Sequence, residues 1–142
     1  MTHAFVVDAS VAIGWVHPAQ ATAETAAVLS AVEDGATLEV PPLWPLDVAN
    51  ALTVLMRRGT LTSEDRRAAL TFLGSLPIRL DENMASLAFT TLADLAEKHG
   101  LSVYDAVYLE LAERRKMPLA CKDGPLRKAA RQRGLRLWTA GT

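Results

Sequence analysis

Short apolar runs, separated by longer stretches with helical patterning, recur along the whole chain. "AFVV" (Ala4 to Val7) is apolar, rich in β-branched and aromatic residues, and closed by a carboxylate, as a buried parallel strand would be. The Ala-rich segment from Ala19 to Asp34 predicts a helix ended by Gly35, and "TLEVPP" a second strand stopped by its prolines. "WPLDVANALTVLMRRG" places Pro45 in a first helical turn and Gly59 past the end, and "LTSEDRRAALTFLGSL" offers Thr62 or Ser63 as a cap, so the two predict a helical hairpin. "PIRL" reads as a third strand and "ENMASLAFTTLADLAEKHG" as one long helix ended by Gly100. "SVYDAVYLELAERR" follows as another helix and "MPLAC" as a fourth strand, before a last helix in "GPLRKAARQRG" and a last strand in "LRLW". Strands alternating with helices imply a mostly parallel sheet covered on both faces, because parallel strands need right-handed helical crossovers.

Against that pattern, carboxylates stand where hydrocarbon is expected. On a helical wheel, Val107, Tyr108, Leu109, Leu111 and Ala112 form an apolar arc, and Asp105 falls inside it. Asp8 and Asp123 each close a strand and precede a helical pattern, and Asp47 lies in a first helical turn. Taken singly, each has a modest explanation. Asp105 with Ser102 forms an S-x-x-D capping box, Asp8 and Asp123 can cap helices, and Asp47 suits the positive end of a helix dipole. Taken together they have another. In an open parallel sheet the strand C-terminal ends share one edge, and the crevice at a topological switch point is the habitual ligand site. If the first and fourth strands are neighbours, Asp8 and Asp123 converge there, and the helices carrying Asp47 and Asp105 open onto the same edge. Like charges so crowded repel unless protonated or bridged by a cation, and an all-oxygen set suits Mg²⁺ or Mn²⁺.

Composition narrows the field only slightly. At 142 residues with formal net charge −1, the chain is the size of one domain and carries no overall basic field, so a nucleic-acid site must be local. Cys121 is the single cysteine, which fits a reducing compartment, and no apolar run reaches the ~18 residues of a membrane span. The N-terminal segment lacks the features of a secretion signal, and the cytoplasm is the expected location. His3, His17 and His99 have no metal-ligand spacing, and no phosphate-loop, dinucleotide or G-x-S-x-G motif occurs. A haloacid-dehalogenase-type phosphotransferase wants a second carboxylate two residues after the first, where this chain has Ser10.

From "VVDASV" through "PPLWPLDVANAL" and "LSVYDAVYLELAERRKMPLACKD" to "LRKAARQRG", the chain resembles PIN-domain ribonucleases, specifically the VapC-like toxins of toxin–antitoxin pairs. The resemblance implies one PIN domain over residues 1–142, a three-layer α/β/α sandwich around a mostly parallel sheet of about five strands. It implies metal-dependent endoribonuclease activity with Asp8, Asp47, Asp105 and Asp123 in the catalytic set. Asp8, Asp105 and Asp123 would hold Mg²⁺, for which Mn²⁺ can substitute, and Ser10 and Asn50 would assist. Two positions depart from the family pattern. Asp47 stands where glutamate is usual, which suggests contact with the metal through water, and Cys121 replaces a usual hydroxyl. The implied partners are RNA, a VapB-like antitoxin and a second copy of the chain in a homodimer. The alternative is a non-catalytic RNA-binding or regulatory module on the same fold. Arg127, Lys128, Arg131 and Arg133 could face RNA or simply solvent, and Leu43, Trp44, Leu52 and Leu55 could grip an antitoxin or belong to the core.

Overall fold

Four parallel strands form the sheet, in the order β3-β2-β1-β4, with β1 at Ala4–Val7, β2 at Thr37–Val40, β3 at Ile78–Leu80 and β4 at Leu119–Ala120. The computed structural model of the chain describes residues 3–122 and 124–140. Val6 pairs with Leu119 and Val7 with Ala120, so the first and fourth strands are indeed neighbours. The chain leaves β1 toward β2 on one side and reaches β4 on the other, which makes the β1/β4 boundary the topological switch point.

Helices flank the sheet in two packed groups. One holds α1 (Ala9–Val16), α2 (Ala23–Glu33), α3 (Leu43–Arg57) and α4 (Ser63–Gly74). The other holds α6 (Ala93–His99), α7 (Val103–Arg115) and α8 (Gly124–Gln132), with the short α5 (Met84–Leu87) leading into it. The strands are buried through Phe5, Val6, Val7, Leu38, Val40, Leu119 and Ala120, none more than 1% exposed, which is why they read as continuous apolar runs rather than alternating ones. Trp44 and Leu52 join this core, as the core alternative expected, and the half-buried Leu43 and Leu55 pack against it.

Several elements differ from the sequence-based expectation. The helix expected from Ala19 begins at Ala23, because Thr22 and Thr25 form a reciprocal capping box and Pro18–Gln20 makes a separate 3₁₀ turn. The helical pattern expected after Asp8 forms α1, directly capped by Asp8, with bounds that the sequence pattern does not mark. The long helix expected over Glu82–His99 is broken into α5, a π-helical stretch at Ala88–Leu92, and α6. The fifth strand reduces to a single parallel bridge between Leu119 and Leu137, so the sheet has four strands among the described residues rather than about five. β4, only two residues long, offers too short a ladder for more.

Helix ends are set by familiar devices with one exception. Gly100 closes α6 in the left-handed region at φ 64°, as its lack of a Cβ allows. The same slot at the end of α7 holds Lys116, at φ 56° and ψ 43°, the single positive-φ residue other than glycine among the described residues. Its backbone N–H donates to the carbonyls of Ala112 and Glu113.

An ion-pair network ties β2 and β3 to α7. Asp81, 2% exposed, accepts from Arg114 at 2.9 and 2.7 Å and from Arg115 at 3.1 Å. The fully buried Glu39 on β2 lies 3.5 Å from Arg79 and 3.6 Å from Arg115.

Candidate active site at the strand C-terminal edge

Asp8 sits at the switch point. Its backbone N–H donates to the Ala120 carbonyl at 3.1 Å, locking the end of β1 to the end of β4, and its side chain is 5% exposed. Asp8 Oδ1 accepts from Ser10 Oγ at 2.7 Å and from the Val11 N–H at 3.3 Å, so Asp8 is also the N-cap of α1. The capping explanation is therefore right about its geometry, and Ser10 holds the carboxylate's orientation.

Asp105 lies in the first turn of α7, where Ser102 caps the helix by accepting the Asp105 N–H at 3.0 Å. That helix buries Ala106, Val107, Tyr108, Leu109, Leu111 and Ala112, and the half-buried Asp105 leads into this packed face. Asp47 is half-buried on α3, and Asn50 is exposed three positions further along the same helix. Asp123 lies outside the described residues, between Lys122 and the start of α8 at Gly124.

Tyr108, which the sequence offered only as an apolar position, joins these groups. Its hydroxyl donates to Asp47 Oδ2 at 3.1 Å, linking α7 to α3. Burial is the main cause that pushes the Tyr108 hydroxyl far above its ordinary acidity constant, and the fields of Asp47, Asp8 and Asp105 add to it. Three carboxylates from three elements thus act on one phenol. Asp47 itself is raised from the ordinary carboxylate value by burial, partly offset by the Tyr108 hydrogen bond. Among the described residues, no three His, Cys, Asp or Glu side chains form a group that by itself could hold a metal ion. The donors that do gather at this edge are carboxylate oxygens with a phenol and a serine hydroxyl. In kind this set fits a hard cation such as Mg²⁺ or Mn²⁺.

Cys121 is fully buried at the end of β4, and its carbonyl accepts from Arg127 at 2.9 Å. Arg127 also pairs with Glu24 at 3.3 Å, and Arg133 with Glu113 at 2.6 and 2.7 Å, so both arginines are engaged within the protein. Lys128 and Arg131 are exposed on α8. No described helix is long and apolar enough to cross a membrane.

Solved structures share this architecture. PAE2754 of Pyrobaculum aerophilum is 23% identical, with a TM-score of 0.66, over 89% of this chain and 79% of that one. The Rickettsia felis VapBC2 structure, bound to a DNA fragment from its promoter, is 12% identical with a TM-score of 0.66, over 95% of this chain and 97% of the other. VapC20 of Mycobacterium tuberculosis, a sarcin-ricin loop cleaving toxin, is 16% identical with a TM-score of 0.62, covering 88% and 94%. At these identities the likeness is one of fold. No curated protein sequence matches the chain. The PIN domain family matches residues 5–132, a span that runs from β1 to the end of α8 and takes in every carboxylate discussed above, and the chain belongs to that family.

Proposed function

We propose that this chain, as one catalytic domain over residues 1–142, is a divalent-metal-dependent endoribonuclease and the toxin of a toxin–antitoxin pair. The observation that carries the reading is a PIN-family fold in which Asp8 is bonded to the end of β4 at the β1/β4 switch point and Tyr108 holds Asp47 across α3 and α7, with the fields of Asp8 and Asp105 also reaching that phenol. Asp8, Asp105 and Asp123 are the residues that would hold the ion. When bound, it would polarise the scissile phosphodiester and acidify an attacking water. Ser10 fixes the direction of the Asp8 carboxylate and Tyr108 that of Asp47. Held beside a phenol in a partly desolvated position, Asp47 has the raised proton affinity that suits a proton acceptor.

The VapBC fold relative supports a VapB-like antitoxin as partner, and a homodimer and a cytoplasmic setting belong to the same proposal. Leu46 and Tyr104, 69% and 64% exposed, stand next in sequence to Asp47 and Asp105 and give the carboxylate edge an apolar rim that a partner segment would cover. The test is incubation of purified protein with single-stranded and looped RNA in Mg²⁺ or Mn²⁺. Cleavage that stops on addition of EDTA supports the reading, and cleavage that persists in excess chelator overturns it. A non-catalytic RNA-binding or regulatory module is the second reading, because a fold alone does not carry chemistry. It predicts RNA binding without cleavage and no Mn²⁺-dependent rise in melting temperature.

A further inference from the structure

Three hollows outside the carboxylate site join into a basic lane. The first lies along α8 from Gly124 to Gln132 and is flanked by Lys98 and Lys128. The second is lined by Glu113, Arg133, Lys116 and Arg136, and the third shares Lys116 and Arg136 with it and reaches Ala4 and Pro118. The first and second are neighbours at the end of α8, where Gln132 lines one and Arg133 the other, and the fields of His99 and Lys98 add to the larger effect of Arg133 that holds the Glu113 carboxyl below the ordinary range. Across α6 and α8, His99 Nδ1 and Gln132 Oε1 are 3.2 Å apart and bridge the floor of the lane.

Charge is strongly one-sided there. The lysines and arginines lining the three hollows are Lys98, Lys116, Lys128, Arg133 and Arg136, and the acidic lining is Glu113 alone, which Arg133 neutralises. The whole chain has formal net charge −1, so this concentration of positive charge is a local feature and not a reflection of bulk composition. Lys116 adds a second indication. It occupies a left-handed helix end, a backbone state that glycine adopts without strain and lysine does not. The chain thus keeps a cation on the lane where the backbone alone would favour glycine.

The lane also has a direction. Its Gly124 end follows Asp123 in sequence and stands just beyond β4, whose last residue Ala120 is bonded to Asp8. Its far end reaches Ala4 and Pro118, at the opposite edge of the sheet. We infer that this lane carries the phosphate backbone of single-stranded RNA from the carboxylate edge, along α8, to the opposite edge of the sheet. The inference rests on the ribonuclease reading above and extends it to a second contact region remote from the carboxylates. Point charges in open hollows suit a flexible polyanion read without sequence preference.

The test is fluorescence anisotropy of labelled oligouridylate, long and short, with the whole protein in EDTA across a range of salt. The variants are Lys98→Gln with Lys128→Gln, and Lys116→Gln with Arg136→Gln, each checked for folding by circular dichroism. Wild type should bind the long oligonucleotide more tightly than the short one, and each double variant should lose much of that advantage. The slope of log affinity against log salt should fall in magnitude by about 1.4 per pair, at about 0.7 for each single-strand phosphate that the variant no longer neutralises. Double variants that match wild type in slope and length dependence overturn the lane while leaving the ribonuclease reading intact. A wild type that neither binds nor cleaves RNA overturns both. Equal competition by duplex DNA of the same length identifies a general polyanion face and overturns the assignment to single-stranded RNA.

Discussion

The Tyr108 hydroxyl reaches 61 residues back along the chain to donate to Asp47 Oδ2 at 3.1 Å, and so fixes α3 against α7 at the carboxylate edge. Among the described residues, that bond is the influence that lowers an Asp47 carboxyl that burial raises. In Tyr108→Phe burial acts unopposed, so Asp47 should take up its proton at a higher pH than in wild type. A carboxyl-carbon NMR titration of the metal-free protein checks this, and an unchanged or lower midpoint would mean that Tyr108 does not hold this carboxylate. The variant should also lose about 1–2 kcal/mol of stability, at the lower end for a bond to a charged acceptor because Asp47 is only half-buried.

Acid should weaken the β3–α7 tie in a defined window. Hydrogen bonds from Arg114 lead the causes that hold Asp81 at about 2, below its ordinary 3.8. The folded value lies below the unfolded one, so the unfolded chain binds the proton more readily as pH falls. The contribution is complete above about pH 4 and is lost as pH drops toward 2. The drop corresponds to about 2 kcal/mol at most, since Arg114 and Arg115 side chains are 29% and 43% exposed and solvent screens them. Asp81→Asn should therefore lower the melting temperature at pH 7, with the gap to wild type narrowing steadily below pH 4. A gap independent of pH would show that packing, and not charge, accounts for the loss.

Lys116 offers a separation of stability from binding. Replacing a left-handed lysine with glycine removes the Cβ clash at φ 56° but adds freedom to the unfolded chain. Lys116→Gly should leave stability equal to wild type or raise it by up to about 1 kcal/mol, read from chemical denaturation. RNA affinity should fall in the same variant. A destabilised variant would mean that the lysine side chain itself secures the end of α7.

What the sequence revealed followed from burial and position. β1 and β4 are buried on both faces, so their apolar runs stood out, and a carboxylate directly after a strand locates the sheet's C-terminal edge whatever the topology. What stayed hidden lacked contrast. In "ASVAIGWV" apolar and small residues occupy nearly every position, so α1 has no polar face to mark a 3.6-residue period. The π-helical turn at Ala88–Leu92 is a shift in backbone hydrogen bonding that side-chain patterning does not record. Glu39 escaped notice because its countercharges, Arg79 and Arg115, are distant in sequence. Tyr108 looked apolar because its ring is buried, and only the fold brings its hydroxyl to Asp47.

The capping and metal explanations of the carboxylates separate cleanly by changing Asp8, Asp105 and Asp123 one at a time to asparagine. Asparagine caps a helix about as well as aspartate, and the amide oxygen of Asp8→Asn can still accept from the Ser10 hydroxyl and the Val11 N–H, so a pure cap loses little. At Asp105 the cap is Ser102, which the substitution leaves in place. If the carboxylates serve a cation, each substitution removes one negative charge from a crowded edge, and like-charge repulsion in the metal-free protein falls. Melting temperature without metal should then stay level or rise in each variant. The Mn²⁺-induced increase should shrink, and RNA cleavage should fall by a hundredfold or more, about 2.7 kcal/mol of barrier. The measurements are melting temperature with and without Mn²⁺ and cleavage rate, for wild type and the three variants. Three asparagine variants that still cut RNA at the wild-type rate would make these residues caps alone and remove the basis for the ribonuclease assignment.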